Sequence, residues 1–194
     1  MSDYIRSLLE QIRELEEELM DAMEEQEVRF SYRIDGARVI FEQSVKEAHR
    51  QIKVGLLRWF RDSRPRNILS APFIYSMIIP FLILDAFLTV YQAVCFRLYD
   101  IARVRRSAYI VIDRHQLRYL NSMEKLNCVY CGYVNGLIGY TREIAARTEQ
   151  YWCPIKHAHK VRGTHDRYKH FLEYGQASDY PEKLKSYRSA LAEK

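Results

Sequence analysis

Cysteine, proline and glycine are all scarce, at four, five and seven among 194 residues. So few glycines and prolines exclude a collagen-like or Gly/Ser-rich low-complexity chain. Four cysteines are too few to staple a disulfide mini-protein. The first residues, Met-Ser-Asp-Tyr-Ile-Arg, lack the basic stretch, short apolar run and small-residue cleavage site of a secretory signal. The N-terminal segment is therefore expected to stay in the cytosol, where thiols are reduced and a Cys-x-x-Cys reads as metal-binding or redox-active. A hydrophobic fraction of 48 % with 28 % charged residues is a globular composition, not a disordered one.

Charge is divided sharply along the chain. Residues 1–30 hold ten acidic and three basic residues, a balance of −7, whereas the whole chain carries +5, so the remainder carries +12. A basic body of this kind points to anionic lipid headgroups or nucleic acid.

Four segments follow from the patterning. Residues 1–27 form an acidic arm. Ser2 can cap its helix, and Ile5, Leu8, Ile12, Leu15 and Leu19 recur at spacings of 3 and 4, an a/d seam widened by Leu9, Met20 and Met23. A helix this short must bury its seam, either in a homo-oligomer through residues 5–23 or against its own chain. Residues 28–66 begin with a hairpin signal, Asp35-Gly36 between alternating apolar residues. A turn on that dipeptide pairs Ile34 with Ala37, Tyr32 with Val39 and Phe30 with Phe41, and sets Arg33 opposite Arg38. Residues 108–113 offer a third strand. Residues 42–63 read as a basic amphipathic helix bearing Trp59 and Phe60, suited to a membrane surface.

Residues 67–99 are the membrane segment. Asn67 to Leu84 contains no charge over eighteen residues, and after Asp85 eleven more follow to Phe96. Pro80 can break the helix into a re-entrant or in-plane pair, since Arg clusters flank both ends, and one kinked spanning helix is the alternative. A buried pair of soluble helices is the third option. Asp85 is costly within such a run and reads as a membrane polar site: a proton acceptor, a lipid-headgroup contact or a partner for an Arg of a neighbouring chain. The bland reading places it at headgroup depth, simply wet.

Residues 100–194 read as a cytosolic helical Cys/His domain. Asp113 and Gln116 can cap a helix to about Asn127, leading to Cys128-Val-Tyr-Cys131-Gly132, where the glycine allows a tight turn. A helix over 133–151 buries Tyr133, Leu137, Tyr140, Ile144 and Tyr151, and Pro154 stops it before His157. The pattern Cys-x2-Cys-x21-Cys-x3-His fits a tetrahedral zinc set of Cys128, Cys131, Cys153 and His157, with His159 or His165 as alternative fourth ligands. An iron–sulfur cluster, a redox pair and no ligand role at all stay open. Lys156, Lys160 and Arg162 lie in a His-rich basic stretch that can bind an anion. Glu143 and Glu149 could serve an open catalytic zinc, although Glu143 also stands four residues before Arg147, ordinary helix ion-pair spacing. Thr164 to Gly175 and Pro181 to Glu193 read as two further helices.

The expectation is a mainly α chain with a small β element, an α+β fold. The leading functional reading is a membrane-associated zinc-binding scaffold or assembly protein, self-associating or holding a protein partner. It would sit on the cytosolic face of a bacterial-type inner membrane. A membrane-bound metalloenzyme acting on a lipid or lipid-linked phosphate is the alternative. A nucleic-acid-binding zinc module comes third and leaves the apolar segment unexplained.

Overall fold

The computed structural model describes residues 3–30, 32–36 and 38–192. Within the first helix, side chains are described at residue 11 and from residue 14 onward. Helices dominate, joined by one two-stranded antiparallel sheet, as an α+β reading requires. The chain forms two compact units, one of Met1–Asp62 with Asp113–Leu126 and one of Ser63–Ile112 with Asn127–Lys194. Residues 113–126, expected in the C-terminal domain, thus belong with the N-terminal unit.

In the first unit, α1 (Asp3–Arg29) contains the seam as one long helix. Ile5, Leu8, Leu9 and Ile12 lie outside the described side chains. Leu15 and Leu19 are 63 % and 60 % exposed, so this part of the seam is not buried against its own chain. The hairpin of β1 (Tyr32–Asp35) and β2 (Arg38–Phe41) forms, but in a register shifted from the expected one. Tyr32 pairs with Phe41, Ile34 with Val39 and Asp35 with Arg38. The turn starts at Gly36, because Gly36, free of a Cβ, takes the positive φ of 57° that the first turn position needs. The shift by two keeps the apolar residues on one face. It also moves Arg33 opposite Ile40 and sets Arg38 against Asp35, which removes the like-charge pair.

Residues 108–113 form no strand, and the sheet keeps two. The Val39 amide instead donates to Gln116 Oε1 at 2.7 Å. The expected helix over 42–63 is two helices, α2 (Gln43–Ile52) and α3 (Leu56–Asp62), separated at Lys53–Gly55. The expected cap at Asp113 opens only a 3-10 turn, Arg114–Gln116. The working capping box lies eight residues further on. Asn121 Oδ1 accepts from the amides of Met123 and Glu124, both at 3.0 Å, and Glu124 accepts from the Asn121 amide at 2.8 Å.

The second unit is built on the apolar segment and the long helix α6 (Ser122–Trp152), whose first turn belongs to the first unit. The apolar segment comprises α4 (Pro65–Ser76), α5 (Ile78–Tyr91) and a π-helical turn, Gln92–Phe96. Pro80 lacks an amide for Ser76, and the irregularity falls just before it at Met77. Met77 itself stays right-handed helical (φ −63°, ψ −14°). The chain runs on as one helix of 32 residues, so no re-entrant reversal occurs at Pro80.

Contacts between the apolar helix and α6 rise together in number. Ile74 meets Tyr130, Asp85 meets Tyr133, and Tyr91 meets Thr148, so the two helices run in the same direction. The core between them is Phe96, Leu137, Tyr140 and Ile144, with Ile101, Val104 and Leu191. Same-direction helices need a return connection. Residues 103–110 supply part of it, with Tyr109 and Ile110 lying against Gly136. α7 (Tyr180–Ala192) closes the unit through Leu191 and a bond from Gln150 to the Tyr187 carbonyl. The helix expected over 164–175 is reduced to a 3-10 turn, Asp166–His170.

Candidate functional site

Two polar clusters lie along the helix pair. The first centres on Asp85, which is 9 % exposed and therefore not simply wet. Its Oδ2 accepts from Arg106 Nη2 at 2.6 Å and from the Tyr133 hydroxyl at 2.8 Å. The arginine partner comes from the same chain, 21 residues away, not from a neighbour. Burial, and then the bond to Asp85, push the Tyr133 phenol up to about 12, so it remains a donor at every physiological pH. Asp85 Oδ1 is buried without a hydrogen-bond partner among the described residues. Two turns further, Gln92 bridges the Tyr140 hydroxyl and the Val104 amide. These bonds fasten the return segment onto the helix pair. They let a carboxylate and an amide stay inside an apolar helix, because each is met by a donor or acceptor of its own chain.

The second cluster joins α6 to the C-terminal segments. Glu143 accepts from Arg147 at 2.8 Å and from Arg167 at 3.0 Å, and Arg167 also donates to Gln150 at 2.8 Å. Burial alone would raise the Glu143 carboxyl, but the two guanidiniums outweigh it and hold the carboxyl below its ordinary range. Glu149 binds His165 Nε2 at 2.8 Å, and His165 Nδ1 accepts from the Tyr168 amide. Glu143 is thus ion-paired and Glu149 hydrogen-bonded, and His165 has both ring nitrogens engaged.

The four expected zinc ligands are not brought together. Cys128 and Cys131 are one turn apart in the unbroken body of α6, and Cys153 follows its last residue, Trp152. At 1.5 Å rise per residue, roughly 33 Å of helix separates Cys131 from Cys153. Gly132 makes no turn between the cysteines and α6; it is buried in the helix itself. Among the described residues, no group of three or more His, Cys, Asp or Glu could hold a metal ion. His157 is exposed, with its amide donating to the Tyr168 hydroxyl at 2.7 Å, and His159 is exposed on the same loop. Of the expected anion site, Lys156 is paired with Glu173 at 2.6 Å, while Lys160 and Arg162 are exposed.

This separation has a direct test. Cys153, exposed beyond the helix end, should react promptly with a maleimide. The labelling rates of both Cys131 and Cys153 should be unchanged by a zinc chelator. Protection of the two thiols that a chelator relieves would overturn the separated arrangement.

Arg106, Gln92 and Arg167 escaped the sequence reading. Their partners lie 21, 48 and 24 residues away and follow no helical or strand period. No family model, curated protein or solved structure matches this chain.

Proposed function

We propose that this chain is a membrane-associated scaffold or assembly protein, held at the cytosolic face of a bacterial-type inner membrane by the Pro65–Phe96 helix. The observation that supports it is the exposure of that helix. Its apolar window has a mean hydropathy of 2.1, and only 6 % of it is buried. Twelve large apolar side chains between Ile68 and Leu98 are exposed, and a concentration of exposed apolar residues marks a membrane or partner surface. A soluble core helix of this composition would be buried. Only one flank, with Phe81, Leu88, Tyr91 and Phe96, packs inward. The irregular return segment with Arg103, Arg105 and Arg106 accompanies that flank near Asp85 and Gln92. Non-helical backbone and arginines are not left facing hydrocarbon, so the opposite face is the one offered to lipid.

The scaffold reading needs no reacting group, and the polar clusters are internally paired fastenings. It does not rest on zinc, because Cys153, past the end of α6, is separated from Cys131 by roughly 33 Å of helix. The exposed α1 seam supplies self-association or a partner helix.

The full chain should sediment with membranes and require detergent. Changing Leu69, Phe73, Leu82 and Phe87 together to Gln, all exposed and outside the core cluster, should release it with unchanged helix content. Recovery of the parent chain in the soluble fraction without detergent would overturn the proposal.

A further inference from the structure

The first unit contains a feature that neither polar cluster uses. Arg50, Lys53, Arg118 and Lys125 surround a cleft of about 350 Å³ with Gln116 as their one neutral companion. No acidic residue lines it, and none of the four cations has an ion-pair partner among the described residues. They come from three places in the sequence: the end of α2, the loop before Asn121, and the first turn of α6. A surface lysine or arginine is usually offset by a nearby carboxylate. Four cations converging on one concavity without one create a potential that only an anion relieves.

Beside this cleft lies a second cavity of about 770 Å³, lined mostly by apolar and aromatic side chains such as Ile34, Val39, Phe41, Val45, Leu117 and Tyr119, with Arg29, Asp113 and Arg114 also at its wall. The two share a wall. Gln116 lines both cavities, Leu117 faces the apolar one and Arg118 the cationic one, and His49 and Arg50 divide the same way. His49 is held edge-on between Phe41 and Tyr119, at 5.3 and 5.0 Å, and its buried Nδ1 has no hydrogen-bond partner among the described residues. Buried polar atoms normally find one. An ester or hydroxyl group positioned between an apolar tail and a charged head would supply it.

We infer that this unit binds an anionic phospholipid. The phosphate headgroup would lie among Arg50, Lys53, Arg118 and Lys125, and part of an acyl chain would enter the adjoining apolar cavity. The cationic cleft alone would suit any phosphate ester. The apolar cavity across the shared wall favours an amphiphile, and the choice of a membrane lipid rests on the membrane reading above. The mostly apolar lining of the adjoining cavity suits an acyl chain better than the further phosphates of a nucleic-acid backbone.

Dihexanoyl phosphatidic acid, which stays monomeric in water, is the probe. It is titrated calorimetrically into the full chain held in a neutral maltoside detergent, with inorganic phosphate and dihexanoyl phosphatidylcholine as comparisons. The phosphatidic acid should bind more tightly than either. Lys53→Gln and Arg118→Gln, both at exposed positions, should each weaken it by about tenfold, the worth of one charge-assisted hydrogen bond. Val45→Trp, which fills the apolar cavity, should weaken the lipid and leave phosphate binding unchanged.

Equal binding of phosphate and lipid, indifferent to Val45→Trp, would leave a phosphate site only and overturn the lipid assignment. Equal binding of the choline lipid would show that headgroup charge is not read and would overturn it too. Because the titration is done in detergent solution, its failure is distinct from a failure of membrane attachment, which fractionation alone decides.

Discussion

Gly136→Ala should destabilise the protein, although glycine-to-alanine changes inside a helix ordinarily stabilise by up to about 1 kcal/mol. A Cβ at this position would stand 2.6 Å from the Tyr109 carbonyl oxygen and 2.8 Å from the Ile110 Cα. Both are backbone atoms of the return segment, so no side chain can swing aside. Either α6 moves away from residues 109–110 or the return segment lifts. The segment is fixed nearby by the bonds of Arg106 to Asp85 and of Val104 to Gln92. Overpacking of this kind costs about 1–3 kcal/mol. For a chain of this size that lowers Tm by about 2–4 °C per kcal/mol. Gly136→Val should go further and leave residues 97–112 open to protease. Thermal melting in detergent checks the sign, and an alanine variant as stable as the parent would show that the close approach is absent.

Glu143→Ala should be the most damaging single change in the second cluster. Glu143 and its partners Arg147 and Arg167 have side chains 20 %, 19 % and 29 % exposed. Removing the carboxylate leaves two largely buried guanidiniums facing one another without an anion. Breaking a fully buried pair costs about 3–5 kcal/mol. Partial solvent access lowers the expectation to about 2–3 kcal/mol.

The same residue sets a pH dependence. Its carboxyl titrates lower in the folded chain than in the unfolded one, so within that window the unfolded chain binds more protons. Its contribution is therefore complete above the ordinary glutamate range and is lost as pH falls through the lower, folded value. The parent's Tm should drop across that acidic window, and Glu143→Gln should flatten the drop. A variant with the parent's acid profile would show that the ion pairs carry no stability.

These two residues also mark what could and could not be read from the sequence. The Glu143–Arg147 pair and the stripe of Leu137, Tyr140 and Ile144 follow from helical spacing, and each is found where that spacing puts it. Arg167 and the backbone pressed on Gly136 arise from chain segments that no local period connects. The cysteines show the converse. Cys-x2-Cys and Cys-x3-His have metal-ligand spacing only if the intervening residues double back. Gly132, taken as the turn that would let them, is an interior position of an unbroken α6.

Near the sheet, local rules supplied the elements but not the choice between neighbours. Asp35-Gly36 and Gly36-Ala37 are both credible turns, and the charge opposite Arg38 distinguishes them. Asp113 with Gln116 and Asn121 with Glu124 are both capping boxes in sequence, and only the second stands before a helix.

The same-direction packing of the apolar helix and α6 has a consequence for biosynthesis. Arg106 follows Asp85 by 21 residues and Tyr133 by 48. At a synthesis rate of roughly 5–20 residues per second, Asp85 waits about 2–10 s for its last partner. Until Arg106 emerges, about 1–4 s after Asp85 at that rate, the nascent segment carries an uncompensated carboxylate, which costs about 2.5–3.5 kcal/mol at the centre of an inserting helix. The finished pair carries the same group already bonded. Under the proposed membrane attachment, entry into lipid is most favourable after α6 has emerged from the ribosome, and the order of translation delays that step until the two helices can arrive together.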